Sequence, residues 1–292
     1  MEHKSGFVNI IGKPNVGKST LMNALLGEKL SIATPKAQTT RHRIMGIINE
    51  PEYQIVFSDT PGILDPAYKM QERMMRFVES AFSDADIMMY IVDALDTSTP
   101  DQLLLERLQL LGVPLLLVIN KIDLLEQTQV EELLTIWKER LPKSEVIPVS
   151  ALHNFNLQAA LDRILEHLPV APPYYDKEAL SDRPVRFFIA EMIRGHILTT
   201  YRREIPYSVE VEVEEYKEEP DCTHIRAIIY VARKSQKGIV IGHEGKQLKR
   251  VGTGARKDME AFLGQKVFLE LYVKVDENWR DQDRKLDKFG YR

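Results

Sequence analysis

The sequence predicts an α/β domain with a mostly parallel sheet, followed by a smaller α+β domain. Three observations support this. Short apolar runs alternate with helix-like stretches in the first half, a proline-rich segment follows, and the second half contains a strictly alternating strand. The 292 residues suffice for two ordinary domains, and 44% hydrophobic residues can fill a core in each.

In the first half, the short apolar runs indicate buried strands and the stretches between them indicate helices. The predicted strands are Phe7–Ile11, Gln54–Ser58, Ile87–Val92, Leu115–Ile119 and Val146–Val149. The predicted helices are Lys18–Leu26, Met70–Phe82, Asp101–Leu111, Val130–Arg140 and Asn156–His167. Because strands and helices alternate, we expect the strands to run mostly parallel, with helices covering both faces of the sheet.

The segment from Pro169 to Pro184 is rich in proline and turn residues, which is typical of a stiff linker. We therefore predict a first domain over residues 1–170, a linker over 171–184 and a second domain over 185–292.

The second half has a different pattern. Ser208–Tyr216 alternates between valines and glutamates, which predicts a strand with one wet face carrying Glu210, Glu212 and Glu214. The other predicted elements are a helix over Val185–Leu198, strands over Ile225–Ala232 and Val267–Val275, and a helix over Lys246–Leu263.

The sequence argues against a disulfide-bonded, a secreted and a membrane-spanning protein. The single cysteine, Cys222, excludes an internal disulfide and favours a reducing compartment. Met1 to Phe7 lacks the apolar stretch of a signal peptide, and Leu115–Ile119 is too short to span a bilayer. We expect a cytoplasmic protein, with peripheral contact at the inner membrane left open.

The segment Gly12–Ser19 matches the phosphate-loop pattern G-x-x-x-x-G-K-S between a predicted strand and helix. Its backbone N–H groups and the helix N-terminus would bind phosphate, with Lys18 at the β- and γ-phosphates and Ser19 on Mg²⁺. The alternative is a plain strand-to-helix turn. Candidate nucleotide-binding residues here are Gly12, Asn15, Val16, Gly17, Lys18, Ser19 and Thr20.

Asp59-Thr60-Pro61-Gly62 follows the second predicted strand, where a carboxylate can hold magnesium. Gly62 lets a backbone N–H approach a γ-phosphate. Thr34–Arg43 and Ile63–Arg73 would be the two switch segments. A threonine of the first segment could complete the magnesium shell, or the segment could be an ordinary polar loop.

Ile63 stands where Ras-like enzymes carry the glutamine that orients the attacking water. Its side chain can neither donate nor accept a hydrogen bond. The water must then be positioned by the backbone, a monovalent cation or a partner. We therefore expect that the protein alone hydrolyses its bound nucleotide slowly, and that K⁺ or a partner stimulates this hydrolysis.

Asn120-Lys121-Ile122-Asp123 is an N-K-x-D motif after a buried strand. Asp123 can accept from guanine N1–H and the exocyclic amine, which adenine does not offer, so guanine is favoured over an ATP site. Lys121 would lay its stem along the base, and Asn120 would tie this loop to the phosphate loop. A backbone N–H in Ser150-Ala151-Leu152 could donate to guanine O6.

Gly242–Gly245 is a G-x-x-G loop between a strand-like region at Ile239–Ile241 and a helix, as in KH modules that bind a single-stranded backbone. Residues 225–257 include nine basic side chains, Arg226 among them, and one acidic side chain, Glu244. This charge favours a nucleic-acid surface over a bare turn. Candidate RNA-binding residues are Lys237, Gly242, His243, Glu244, Gly245, Lys246, Lys249 and Arg250.

Together, G-K-P-N-V-G-K-S, K-A-Q-T-T-R-H-R, D-T-P-G, N-K-I-D, S-A-L, I-G-x-x-G-K and V-D-E-N-W-R-D resemble the Era family of bacterial GTPases. The resemblance covers essentially the whole chain. It implies a Ras-like P-loop GTPase domain and a type II KH domain, GTP and GDP as ligands, and binding of small-subunit ribosomal RNA near its 3′ end.

The same resemblance implies a role in assembly of the 30S subunit and no DNA partner. It selects Thr40 as the switch threonine, so Ser19, Thr40 and Asp59 become the expected Mg²⁺ ligands and Lys18, Thr40 and Gly62 the expected catalytic residues. It also implies that Asn15 can bind K⁺ as an activator. Two alternatives stay open: a membrane-peripheral or cell-cycle signalling GTPase whose basic face meets anionic lipid, and an RNA-binding scaffold with a vestigial nucleotide site.

Overall fold

The computed structural model describes residues 2–99 and 101–292, and its chain divides into two compact units. The first unit comprises Met1–Ala33, Thr40–Asp65 and Met75–Asp182, and the second comprises Thr34–Thr39, Pro66–Met74 and Arg183–Arg292. Met1, the first residue of the predicted first domain, lies outside the described residues. The predicted domain limits stay a prediction.

The first unit is built on a sheet that contains six strands within the described residues, in the order β2-β3-β1-β4-β5-β6. Neighbouring strands there are parallel, except that β2 is antiparallel to β3. The mostly parallel α/β sheet is thus confirmed. The strands are β1 (Lys4–Ile11), β2 (Ile44–Asn49), β3 (Tyr53–Asp59), β4 (Ile87–Asp93), β5 (Leu115–Asn120) and β6 (Glu145–Val149).

In the described residues, a helix follows every strand of this sheet except β2. These helices are α1 (Lys18–Leu26), α2 (Lys69–Ser83), which belongs to the first unit from Met75 on, α3 (Gln102–Gln109), α4 (Gln127–Arg140) and α5 (Leu157–His167). β5 is buried at every position, as expected of a strand covered on both faces. Because β1, β3, β5 and β6 are parallel, the loops after them meet at one edge of the sheet, where α/β proteins bind ligands.

The antiparallel strand β2 was not predicted, because it is a short run interrupted by Gly46 beside a polar segment. Its outer edge is paired with the proline-rich segment. Ile47 N donates to Leu180 O at 3.0 Å, and Asn49 Nδ2 donates to Ala179 O at 2.9 Å. The predicted linker therefore protects an edge strand that would otherwise expose unpaired backbone groups.

The second unit has the element order α-β-β-α-α-β with a further short helix, and the expected α+β class is confirmed. Its elements are α6 (Val185–Thr200), β7 (Val209–Glu218), β8 (Thr223–Val231), α7 (Lys234–Ile241), α8 (Lys246–Leu263), β9 (Val267–Val275) and α9 (Asp283–Lys288). In the described part, β8 is central, antiparallel to β7 and parallel to β9. Ile193, Ile229 and Val251 lie in the core between helices and sheet.

The strand-like region predicted at Ile239–Ile241 is wrong: these residues end the helix α7. β-Branched residues favour strands, but a helix start outweighs that preference here. Gln236 accepts a hydrogen bond from Arg233 N at 3.0 Å, which caps the first turn. Gln236 and Val240 are both buried, and their spacing of four residues matches one helix face.

The wet face predicted for β7 is wrong at Glu210, which is only 5% exposed. Tyr291 Oη donates to Glu210 Oε2 at 2.7 Å, and Trp279 Nε1 donates to Ser208 O at 3.2 Å. The C-terminal segment thus covers this end of the strand. A bulge between Val213 and Glu215 then interrupts the alternation farther along.

Candidate nucleotide site and G-x-x-G loop

The phosphate loop, Gly12–Lys18, joins β1 to α1 in a conformation that requires glycine at two positions. Gly12 has φ 153° and Gly17 has φ 101°. A Cβ at Gly12 would lie 2.4 Å from Ile91 O, and a Cβ at Gly17 would lie 2.2 Å from Asn120 Nδ2. The loop is therefore packed against β4 and β5, and these contacts constrain its shape.

Lys18 is buried at the start of α1, and its ammonium points back into the loop. Nζ donates to Gly12 O at 3.0 Å and to Lys13 O at 2.8 Å. Burial lowers the pKa of Lys18 to about 8, and the nearby Asp59 carboxylate opposes that shift. A desolvated cation of this kind gains from a bound polyanion, which would restore its charge.

The side chains of Ser19, Thr40 and Asp59 converge on one point beside Lys18. Ser19 Oγ donates to Asp59 Oδ2 at 2.6 Å and lies 2.8 Å from Thr40 Oγ1, which is 3.3 Å from the same carboxylate oxygen. Two hydroxyls and a carboxylate are oxygen ligands of the kind that Mg²⁺ prefers.

Asp59 is completely buried, and burial raises its pKa, against the opposing effects of Ser19, Lys18, Ser31 and Thr40. Within residues 2–99 and 101–292, its Oδ1 has no hydrogen-bond donor in good geometry. That buried oxygen would be satisfied by a metal-bound water. In that part of the chain, no group of three or more His, Cys, Asp and Glu side chains is arranged to hold a metal ion.

Thr39 is turned in another direction. Its Oγ1 donates to Lys36 O at 2.6 Å and lies 2.7 Å from Thr34 Oγ1. Of the two adjacent threonines, Thr40 is therefore the one that the structure brings to Asp59.

Gly62 and Ile63 follow β3 and lie against the phosphate loop. A Cβ at Gly62 would be 2.7 Å from Pro14 Cα, and Ile63 N donates to Gly12 O at 3.0 Å. The Ile63 side chain packs against the apolar core that contains Leu105 and Trp137. The residue at the glutamine position is thus a partly buried apolar side chain packed against the core, with no group that could hydrogen-bond to water.

Asn120 connects the two loops that would surround a base. Its Nδ2 donates to Val16 O at 2.8 Å, and its Oδ1 accepts from Ala151 N at 3.0 Å. The Ala151 amide is thereby engaged. In the described part of the chain, the Leu152 amide makes no hydrogen bond, so it is the better candidate donor for guanine O6.

Asp123 lies in the turn after Lys121, and its side chain is 23% exposed, with His153 Nε2 at 3.7 Å. The nitrogen Nζ of Lys121 donates to Asp93 at 2.5 Å. Asp93 was missed by sequence reasoning, although an acid directly after the predicted strand Ile87–Val92 was a signal comparable to Asp59 after the predicted strand Gln54–Ser58. Of the remaining candidates, Val16 is buried, Thr20 is half-buried in α1, and Asn15 is exposed with φ 64°.

The G-x-x-G loop connects α7 to α8 and is exposed. Gly242 has φ 72°, and a Cβ there would lie 2.6 Å from Gln247 Cγ. Gly245 has φ 73°, but a Cβ there would meet nothing within 4 Å among the described residues. Between them, His243 and Glu244 are exposed, and Glu244 also has a positive φ of 51°.

The predicted basic surface loses some of its members in the structure. Arg226 belongs to β8 and pairs with Glu215 and Glu270, each at 3.2 Å, so its charge is compensated there. Lys246 pairs with Glu244 at 3.0 Å. Lys237, Lys249 and Arg250 are exposed, and in the described regions no carboxylate lies within ion-pair distance of them.

Comparison with known proteins matches two family models, a 50S ribosome-binding GTPase over residues 7–121 and a KH domain over residues 204–280. GTPase Era of Alkaliphilus metalliredigens is 42% identical over the full length of both chains. The chain belongs to the Era family of GTPases. It therefore hydrolyses GTP to GDP and phosphate, and the predicted Ras-like and type II KH architecture is confirmed.

Other relatives agree with this assignment. The chloroplastic GTPase ERA1 of Zea mays is 44% identical over 99% of this chain and 71% of its own. A crystal structure of Era with MgGDPNP and nucleotides 1506–1542 of 16S ribosomal RNA superposes with a TM-score of 0.94 at 38% identity, over 99% of both chains. An Aquifex aeolicus Era variant bound to GDP and aluminium fluoride gives the same TM-score, identity and coverage.

Proposed function

We propose that this chain is a molecular switch that binds Mg²⁺ and GTP at the loops of the first unit. We further propose that it binds the 3′ region of small-subunit ribosomal RNA at the G-x-x-G loop and assists assembly of the 30S subunit. The observation that carries the nucleotide site is the convergence of Ser19, Thr40 and Asp59 beside the buried Lys18. The related Era structure with 16S ribosomal RNA supports the RNA partner.

In this proposal, the phosphate-loop amides and Lys18 hold the β- and γ-phosphates, and Gly62 brings a backbone N–H to the γ-phosphate. Ser19, Thr40 and Asp59 are the residues that would hold Mg²⁺. The ion would supply charge neutralisation at the transferring phosphoryl group. These residues position groups and stabilise charge without forming a covalent intermediate.

Guanine selection depends on Asp123, and its test is Asp123→Asn. The amide should weaken GDP binding by about a hundredfold or more and favour XDP, whose base carries an oxygen where guanine carries its amine. Calorimetry with GDP, XDP and ADP measures the change. Lys138→Ala on the outer part of α4 is the matched surface control. An unchanged preference for GDP, or equal binding of ADP by the parent protein, would contradict the proposed base site.

Potassium is the proposed activator because Ile63 is packed in the core and Asn15 is exposed on the phosphate loop. Single-turnover hydrolysis should be faster in K⁺ than in Na⁺, and Asn15→Ala should remove most of that difference. Equal rates in the two salts would exclude the cation and leave a partner as the activator.

The nucleotide state is proposed to alter RNA binding, because parts of both switch segments belong to the second unit. There, Lys36 Nζ donates to Leu198 O, and Arg73 pairs with Asp283 and Asp287, each at 3.1 Å. RNA affinity should differ between the GTP-analogue and GDP states, and Arg73→Ala should reduce the difference. Equal affinities in the parent protein would remove this coupling.

Lipid is the competing partner for the basic surface. Among the described residues, the structure contains no helix that could span a membrane. Flotation with anionic vesicles, with and without a 16S 3′ fragment, separates the two partners. If the protein binds the RNA fragment and vesicles do not displace it, the RNA proposal is supported. If the protein binds vesicles and the fragment does not displace it, a membrane-peripheral GTPase is supported. The cytoplasmic location and the absence of a DNA partner stay predictions.

A further inference from the structure

Asp93 is the last residue of β4 and belongs to none of the nucleotide motifs, yet it holds one of their side chains. Its Oδ2 accepts a hydrogen bond from Lys121 Nζ at 2.5 Å, and the two side chains are 20% and 32% exposed. The partner is the lysine of N-K-x-D, whose stem is proposed to lie along the base.

The Asp93 carboxylate is fixed from two sides. Its other oxygen, Oδ1, accepts from Leu95 N at 2.9 Å, which closes the turn after β4. Asp93 is also in register with Asn120 on β5, and Ala94 N donates to Asn120 O at 2.9 Å. The carboxylate is therefore held against the same strand end that carries N-K-x-D.

Lys121 needs such an anchor. Its backbone is left-handed, with φ 68° and ψ 32°, and its long side chain has many rotamers in solvent. A partly exposed ion pair adds little to fold stability. Its larger effect is to restrict the lysine stem before a ligand arrives, because ordering a flexible side chain on binding costs affinity.

A second pair in the same segment provides a comparison. Asp96 accepts from Lys13 Nζ at 2.9 Å, with side chains 32% and 38% exposed, and Ser98 Oγ accepts from the same ammonium at 2.5 Å. This pair holds a lysine of the phosphate loop instead of the base loop. The segment Asp93–Ser98 thus carries two similar ion pairs directed at different parts of the nucleotide site.

We propose that Asp93 is a positioning residue for guanine nucleotides, which holds the Lys121 stem in place for the base. The inference rests on the proposed base site. Because the stem contacts the ring and does not read its substituents, Asp93 should increase affinity for GDP and IDP equally. The discrimination between them, which depends on the exocyclic amine, stays with Asp123.

The test is Asp93→Asn, which keeps an oxygen for Leu95 N–H and removes the charge that holds Lys121. Calorimetry should show GDP and IDP each binding about fivefold more weakly, with their affinity ratio unchanged. In a Lys121→Met background, Asp93→Asn should cause no further loss. The matched control is Asp96→Asn, whose effect should persist in full in that background because it acts through Lys13.

Three results would overturn the inference: unchanged GDP affinity in Asp93→Asn, an equal loss in the Lys121→Met background, or an altered GDP-to-IDP ratio. Thermal unfolding shows whether the variant is folded. If it is not, Asp93→Glu keeps the charge one methylene farther out and should weaken GDP by a smaller factor, again only when Lys121 is present. If the parent protein binds no GDP, the proposed nucleotide site itself is wrong. If the parent protein binds GDP and Asp93→Asn binds it equally well, only the proposed role of Asp93 is wrong.

Discussion

The phosphate loop and the G-x-x-G loop are two glycine-rich loops that each lead into a helix N-terminus. In the phosphate loop, a Cβ at Gly17 would lie 2.2 Å from Asn120, and Lys18 is buried. In the G-x-x-G loop, a Cβ at Gly245 would meet nothing within 4 Å in the described part of the chain, and His243 is exposed. Both loops have positive φ angles, but Gly17 is packed against Asn120 at the end of another strand, whereas Gly245 meets no such neighbour in the described part of the chain.

This difference indicates two ways to bind phosphate. The first loop is constrained by contacts from β4 and β5, so a larger side chain at its glycines would have to displace protein atoms. The second loop is shaped mainly by its own backbone, which leaves open space for a polymer to lie across it. Substitutions of glycine in the first loop should therefore have large effects on ligand binding, and those in the second loop should have moderate effects.

The largest expected contrast is between Gly17→Ala and Gly245→Ala. Both substitutions strain a left-handed residue, but at Gly17 the methyl group must also displace Asn120 and break its hydrogen bonds. We expect a loss of about 3 kcal/mol, or roughly a hundredfold, in GDP affinity for Gly17→Ala. Gly245→Ala should cost only about 1 kcal/mol of unfolding free energy and leave GDP binding unchanged.

Calorimetry with GDP and thermal unfolding measure this pair. Equal effects of the two substitutions on GDP binding, or normal binding by Gly17→Ala, would show that protein packing does not shape the phosphate loop.

The pH dependence of GDP binding sharpens the same comparison, because Lys18 is a buried cation. Burial lowers its pKa from 10.5 to about 8 in the free protein, so the ammonium loses its proton as pH rises through 8. Bound phosphates favour the charged form, so binding above that pH takes up a proton. GDP affinity should fall about tenfold between pH 7 and pH 9.

Lys18→Arg is the control for this experiment, since a guanidinium stays charged throughout the range. The guanine base also titrates near pH 9. Because Lys18→Arg has no titrating lysine at this position, its pH profile shows the effect of the base alone. Calorimetry in two buffers of different ionisation enthalpy counts the proton taken up. If the parent protein and Lys18→Arg have the same pH profile, Lys18 is not the titrating group.

The smallest expected effect belongs to the exposed surface of the second unit. Lys249→Ala should reduce the slope of log K against log salt for RNA binding by about 0.7. The loss of RNA affinity between 50 and 200 mM salt should then be about threefold smaller than in the parent protein. Arg226→Ala is the matched control, because Arg226 on β8 forms ion pairs with Glu215 and Glu270. A loss of slope in Arg226→Ala equal to that in Lys249→Ala would place the RNA on a different surface.

The limits of prediction are clearest where two distant segments meet. The end of α7, Ile239–Ile241, was mistaken for a strand, because these residues favour a strand locally and the capping contact of Gln236 was overlooked. Glu210 was placed in solvent, because alternation along β7 carries no information about Tyr291, eighty-one residues away. Asp93 was overlooked as a partner of Lys121 for the same reason.

The sequence by itself determined the fold class, the family and the identity of each nucleotide loop. These depend on local features: apolar runs long enough for buried strands, glycines where φ is positive, and short motifs in a set order along the chain. Tertiary structure alone decided that the proline-rich segment pairs with β2, that Tyr291 covers Glu210, and that Asp93 holds Lys121. Such pairings depend on which strand ends and loops become neighbours, and burial and hydrogen bonding across long separations decide that only once the chain has folded.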